Sequence, residues 1–149
     1  MSVDRHTGMW LQDQDVEFQQ HPKFKGVSIG WLMNGGDGGP AMSCAVVKMS
    51  SEAAVKAHTH PFEDDVVYCL QGTAKMWMDD VGNIDVSKGT FIRVPAGVAH
   101  CLHSFSDDFE AFDMFLVDAK KRRQFEHAVD QLPIVEFVSD GGKSSDKTV

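Results

Sequence analysis

A chain of 149 residues, 42% of them hydrophobic, has room for one domain with a real core. Its net charge of −8 disfavours nucleic acid and anionic membranes as partners. No run approaches the roughly eighteen apolar residues of a membrane span, and the N-terminus lacks a basic-then-apolar leader. Three widely spaced cysteines, Cys44, Cys69 and Cys101, argue against a disulfide framework and fit a reducing cytoplasm; none has zinc-ribbon spacing.

Residues 1–26 are polar and mixed, and read as an arm with one short strand near Val16–Phe18. Val27–Leu32 (VSIGWL) has the β-branched and aromatic content of a strand. The glycine-rich Asn34–Pro40 is followed by neither GK[ST] nor a helix, so it reads as a long turn and not a phosphate cradle. Ala41–Met49 is a nearly unbroken apolar run, of the kind usually buried on both faces.

The stretch His58–Gly72 (HTHPFEDDVVYCLQG) carries the chemistry. Side chains alternate along a strand, so His58 and His60 share a face. Two imidazoles with carboxylates just beyond can meet around one divalent cation, and nitrogen and oxygen donors suit zinc, iron, manganese or nickel. A lone HxH is more often surface chemistry than a metal site. Glu63 and Asp65 share parity, whereas Asp64 should face away as a solvated charge. Cys69 shares Asp65's parity and reads as a small apolar filler; Tyr68 reads as packing.

Beyond Gly72, Ala74, Met76 and Met78 alternate with Lys75, Trp77 and Asp79, giving one apolar face. Asp80–Asn83 is a hairpin turn from which Ile84–Val86 returns. Thr90–Val94 leads into Pro95-Ala96-Gly97, a tight turn that delivers His100 onto the next strand as a third imidazole. Strands follow at His100–Phe105 and Glu110–Val117. Short strands at this spacing indicate a sandwich or barrel. His103 should face opposite to His100, and His6, His21 and His127 have no supporting context.

At Asp118 the pattern changes. Phe125, Ala128, Val129 and Leu132 form one helical stripe within Ala119–Leu132, with Asp118 as N-cap and Pro133 as stop. Lys120–Arg123 sit at the positive end of that helix's dipole, as a solvated face or as a contact for an anion or partner. Ile134–Val138 suits an edge strand, and 139–149 is a polar tail.

On two motifs the chain resembles the cupin superfamily. The first, G-x5-HxH-x3,4-E-x6-G, is matched by His58, His60, Asp65 and Gly72; the second, G-x5-PxG-x2-H-x3-N, by Gly89, Pro95, Gly97 and His100. Glu52 stands for the leading glycine, Asp65 for the glutamate and Ser104 for the closing asparagine. The resemblance covers roughly residues 41–117, with motifs at 58–72 and 89–104. It implies an all-β, double-stranded β-helix (jelly-roll) barrel with a C-terminal helix near 119–132, in one domain over 1–138.

It also implies a homodimer through outer strands, with exchange of the N-terminal strand as an alternative. His58, His60, Asp65 and His100 would hold the ion. Aspartate reaches about 1.3 Å less far than glutamate, so Asp65 is either a ligand or a carboxylate hydrogen-bonded beside one, and Glu63 is its rival. Either acid could serve as general base. Phe62, Met76, Phe91, Phe112 and Met114, with Arg93 as the cation, are the candidate pocket for a small-molecule substrate.

Such a site suits a metal-dependent enzyme acting on a small oxygenated compound, with dioxygenase chemistry as the first expectation. A non-redox isomerase, lyase or polyketide-cyclase-like enzyme is the second. A non-catalytic sensor or small-ligand binder is the third, because one scaffold hosts many functions.

Overall fold

A computed structural model describes residues 10–33, 42–117 and 135–138 of the chain. Eleven strands are present among them: β1 (Phe18–Gln20), β2 (Val27–Met33), β3 (Met42–Met49), β4 (His58–Thr59), β5 (Glu63–Gln71), β6 (Thr73–Met78), β7 (Gly82–Ser87), β8 (Phe91–Val94), β9 (His100–His103), β10 (Phe109–Val117) and β11 (Glu136–Phe137). A 3-10 turn at Asp13–Asp15 precedes β1, so the first strand lies just beyond the expected Val16–Phe18. The expected helix near 119–132, the turn Asn34–Pro40 and the tail 139–149 lie outside the described residues.

Two antiparallel sheets face each other. One has the order β1-β2-β3-β10-β5-β8 and the other β11-β4-β9-β6-β7. From β4 onward the chain passes repeatedly between the sheets, which is the jelly-roll arrangement. Period-two patterning sets which side chains enter. Val27 and Ile29, Ala45, Val47 and Met49, Val67 and Cys69, and Ala74, Met76 and Met78 all join one core with Phe109 and Ala111. Each fully buried Val, Ile or Met in it contributes about 1.5–3 kcal/mol. All three cysteines are buried and free.

The expectation for β3 needs correction. Its inner residues are buried, but outward-facing Lys48 is exposed and Val46 only half-buried, so the strand is covered on one face. An apolar run was here half core and half sheet surface.

Gly72 closes the β5–β6 hairpin at φ 77°, where a Cβ would stand 2.8 Å from the Phe109 Cα. Only glycine fits both constraints. Glu52, in contrast, does not adopt a positive φ, so the turn there has no need of the glycine that the first motif expects. Ser104 does: at φ 57° it is the only non-glycine with positive φ among the described residues. Asparagine tolerates that region better than serine, which accounts for what the second motif expects at this position.

Candidate metal centre

β4 is only two residues long, and its position is fixed from both sides. His58 is the register partner of His100 on β9, and Phe137 on β11 pairs with His58 from the other side. His60 follows directly. The PAG turn is bonded to the same segment, since the Gly97 N–H donates to the His60 carbonyl at 2.9 Å. Asp64 holds the turn from outside, accepting from the Ala96 N–H at 2.9 Å and from Arg93 Nε at 2.8 Å and Nη2 at 2.7 Å. Asp64 was expected to be a solvated charge; it faces away as expected, but it is a clamp.

The three imidazoles thereby converge. Ring centroids lie 4.9 Å apart for His58–His60, 4.4 Å for His58–His100 and 5.2 Å for His60–His100. One ring nitrogen from each falls within 4.8 Å of the others, and all three residues are buried. The His58 Nδ1–H donates to the Lys56 carbonyl at 2.7 Å, and the His100 Nδ1–H to the Val98 carbonyl at 2.9 Å. Fixing the proton on Nδ1 leaves each Nε2 lone pair for a ligand. Burial, then the neighbouring His100 and His60, push His58 down to about 3, so it is neutral at physiological pH.

The two carboxylates divide around His60. Asp65 Oδ2 lies 3.5 Å from His60 Nε2 and 3.2 Å from His100 Nε2. Fully buried Glu63 is instead 3.8 Å from His60 Nδ1, the outer nitrogen. Burial alone would raise Asp65, but bonds with Asp113, His100 and His60 outweigh it and hold Asp65 well below the usual carboxylate range. Asp113 goes the other way. Burial first, then the charge of Asp65 and the bond to it, raise Asp113 well above its ordinary value. Two carboxyls in contact cannot both ionise in a dry site, so Asp113 keeps the proton.

The donor set fits a metal ion. Three imidazoles and a carboxylate suit zinc, iron, manganese or nickel, and Asp65 Oδ1 and Asp113 Oδ1 are buried with no hydrogen-bond partner. His58, His60, His100, Asp65 and Asp113 line a cavity of about 60 Å³. That volume takes a few waters or a small ligand's head. Its walls are apolar, from Phe24, Ile29, Val47, Met49, Leu102 and Phe115 among others.

None of the six expected pocket residues lines that cavity. Met76 is fully buried elsewhere in the core, and Phe62 is half-buried. Phe91 is 64% exposed, and Arg93 is on the outer face with Asp64. Phe112 and Met114 alternate outward on β10, whose buried residues are Phe109, Ala111 and Phe115. His103 also faces away, bonded to Asn83 and Ser104. Two residues that do line the cavity had been passed over. Asp113, an acid at inward parity in AFDMFLV, left a readable signal; His21 left none.

Residues 45–115 match the Cupin domain family. A polyketide cyclase, RemF from Streptomyces resistomycificus, is similar in structure, with TM-score 0.65 and 18% identity over 95% of this chain and 90% of that one. So is a predicted oxalate decarboxylase from Thermotoga maritima, with TM-score 0.65 and 16% identity over 74% of this chain and 100% of that one. A sugar phosphate isomerase from Silicibacter pomeroyi gives 0.61 and 16% over 74% and 76%. Comparison with curated protein sequences gave no match. These identities speak for the fold alone. With the two-sheet barrel and the family match together, residues 45–115 form a cupin domain.

Proposed function

We propose that this cupin is a metal-dependent acid–base enzyme acting on a small, mostly apolar, oxygenated compound, in the manner of an isomerase, lyase or cyclase. One observation carries the reading. Buried Asp65, held low by its partners, and half-buried Asp113, pushed up by desolvation of its carboxyl and by Asp65, are in contact beside three converging imidazoles. Pairs of titratable groups driven apart in this way mark acid and base roles. His58, His60 and His100 would hold one divalent ion, which polarises a bound substrate oxygen when present. Asp65 is placed to accept a proton from carbon or oxygen near that point, and Asp113 stabilises its charge before transfer. The apolar walls exclude water. The cyclase and isomerase activities of RemF and of the Silicibacter protein are compatible with this class.

The test is metal analysis of untagged protein, followed by deuterium exchange from solvent into 2,4-pentanedione. Exchange should need the metal and fall at least about a hundredfold in Asp65→Asn. Oxygen uptake matching diketone loss would instead establish the dioxygenase reading. Tight metal binding with neither reaction, for this and related enolisable ketones, would leave a binding protein.

The same reading includes a homodimer through the outer face of the six-stranded sheet. Phe91, Tyr68, Phe112 and Val46 stand side by side on adjacent strands there, and Phe91 is 64% and Tyr68 42% exposed. Six strands about 4.8 Å apart and some five residues deep give a flat area of roughly 500 Å². Side-chain relief brings that toward the approximately 800 Å² per partner of a stable interface. Charge also permits self-association. On a chain of net charge −8, this face pairs Asp64 with Arg93 and sets Glu110 opposite Lys48.

A further inference from the structure

His21 lines the same cavity as the three imidazoles, yet belongs to neither motif. It follows β1 and is held firmly. Its N–H donates to the Val27 carbonyl at 2.8 Å, and the loop behind it is tied by Gln20 Nε2 donating to the Phe24 carbonyl at 3.1 Å. Its ring stacks on Phe24 with centroids 4.7 Å apart, and Phe24 in turn lies 5.1 Å from His58. A single phenyl ring therefore separates His21 from the metal-binding group.

The decisive contact is at Nδ1. The Lys23 backbone N–H donates to it at 3.0 Å. A nitrogen that accepts cannot carry the proton of a neutral imidazole, so that proton is on Nε2. Burial, the charge of Lys23 and that of His60 all push His21 below its usual value, which keeps the ring neutral. This is the reverse of His58 and His100, whose Nδ1 atoms donate to carbonyls. In this cavity His58 and His100 thus donate from Nδ1, whereas His21 accepts there and carries its proton on Nε2.

We infer that His21 is a second polar subsite of the cavity, donating from Nε2 to an acceptor oxygen at the substrate end remote from the three imidazoles. Building on the metal-dependent reading, it defines the substrate as two-ended. One end chelates, an apolar body spans the Phe24 wall, and the other end carries a carbonyl, ether or similar acceptor.

The test uses the full chain loaded with zinc. Calorimetric titrations compare catechol with 2,3- and 3,4-dihydroxybenzaldehyde, whose formyl oxygen is the added acceptor. In His21→Phe, at least one aldehyde should lose roughly tenfold in affinity, as one hydrogen bond warrants. Zinc stoichiometry and catechol affinity should hold, showing that the fold and metal centre are intact. His21→Gln, which retains a donor at similar reach, should recover much of the loss. Equal changes for catechol and both aldehydes, or none, would overturn the subsite. A wild-type protein that binds no zinc defeats the metal reading instead, and the tautomer then decides the subsite alone. Long-range proton–nitrogen NMR of metal-free protein should show His21 protonated at Nε2 and bare at Nδ1; the opposite tautomer overturns the inference.

Discussion

His58 and His100, forty-two residues apart, are direct partners across the β4–β9 pairing, with rings 4.4 Å apart. Strand register, and not sequence proximity, builds the centre. His100→Ala should therefore abolish metal binding measured by plasma emission on purified protein. His103→Ala should retain it, because that side chain is on the other face of β9, bonded to Asn83 and Ser104. Equal loss in both would refute the register.

Asp64 ties the PAG turn through the Ala96 N–H, so its removal should be felt at the metal centre though it faces outward. Asp64→Ala should cost about 1–2 kcal/mol in urea unfolding, chiefly from the bond to the backbone. The Arg93 contact is more than half exposed on the arginine side and adds little. Metal affinity should fall as the turn loosens. An unchanged midpoint would show the clamp to be idle.

Acid should destabilise the metal-free protein. His58 is lowered from 6.5 to about 3 in the folded state, so between those values the unfolded chain binds the extra proton. Its contribution is present above about pH 6.5 and is lost as pH falls toward 3, on the order of 4–5 kcal/mol in all. Asp113, raised on folding, acts with the opposite sign. Melting temperatures against pH for wild type and His58→Gln isolate the histidine: the variant should show the shallower slope across that window.

Ser104 holds φ 57° with only an exposed bond to His103 in return. Ser104→Gly or Ser104→Asn should raise stability by about 0.5–1 kcal/mol. Thermal unfolding reads this directly, and a loss in both variants would mean the hydroxyl outweighs the strain.

The proposed dimer has a one-residue probe. Phe91→Glu puts a charge at the exposed β8 end of the outer aromatic row, and light scattering should show the dimer replaced by monomer. A wild-type protein already monomeric at micromolar concentration would remove the proposal.

The convergence of His58, His60 and His100 was readable because local spacing encodes it: alternation for the HxH, and a turn of fixed length before His100. The same alternation placed Glu63 and Asp65 inward and Asp64 outward. The pocket was not readable from residue type. Phe91, Phe112 and Met114 were chosen as apolar, but parity sends them outside, where apolar residues serve the sheet surface. His21 could not have been found, because its place in the cavity depends on a loop tied to the Val27 carbonyl. Such a contact has no signature in the sequence.

β11 also has a bearing on how the protein is made. It supplies the outer neighbour of β4, and the Val138 N–H reaches back to the Ala57 carbonyl. During synthesis, the segment bearing the first two histidines stays an open edge until residue 138 has left the ribosome. Nearly the entire barrel can be in place before its histidine cluster is walled, so any cation the cluster takes would enter in the final moments of translation or after them.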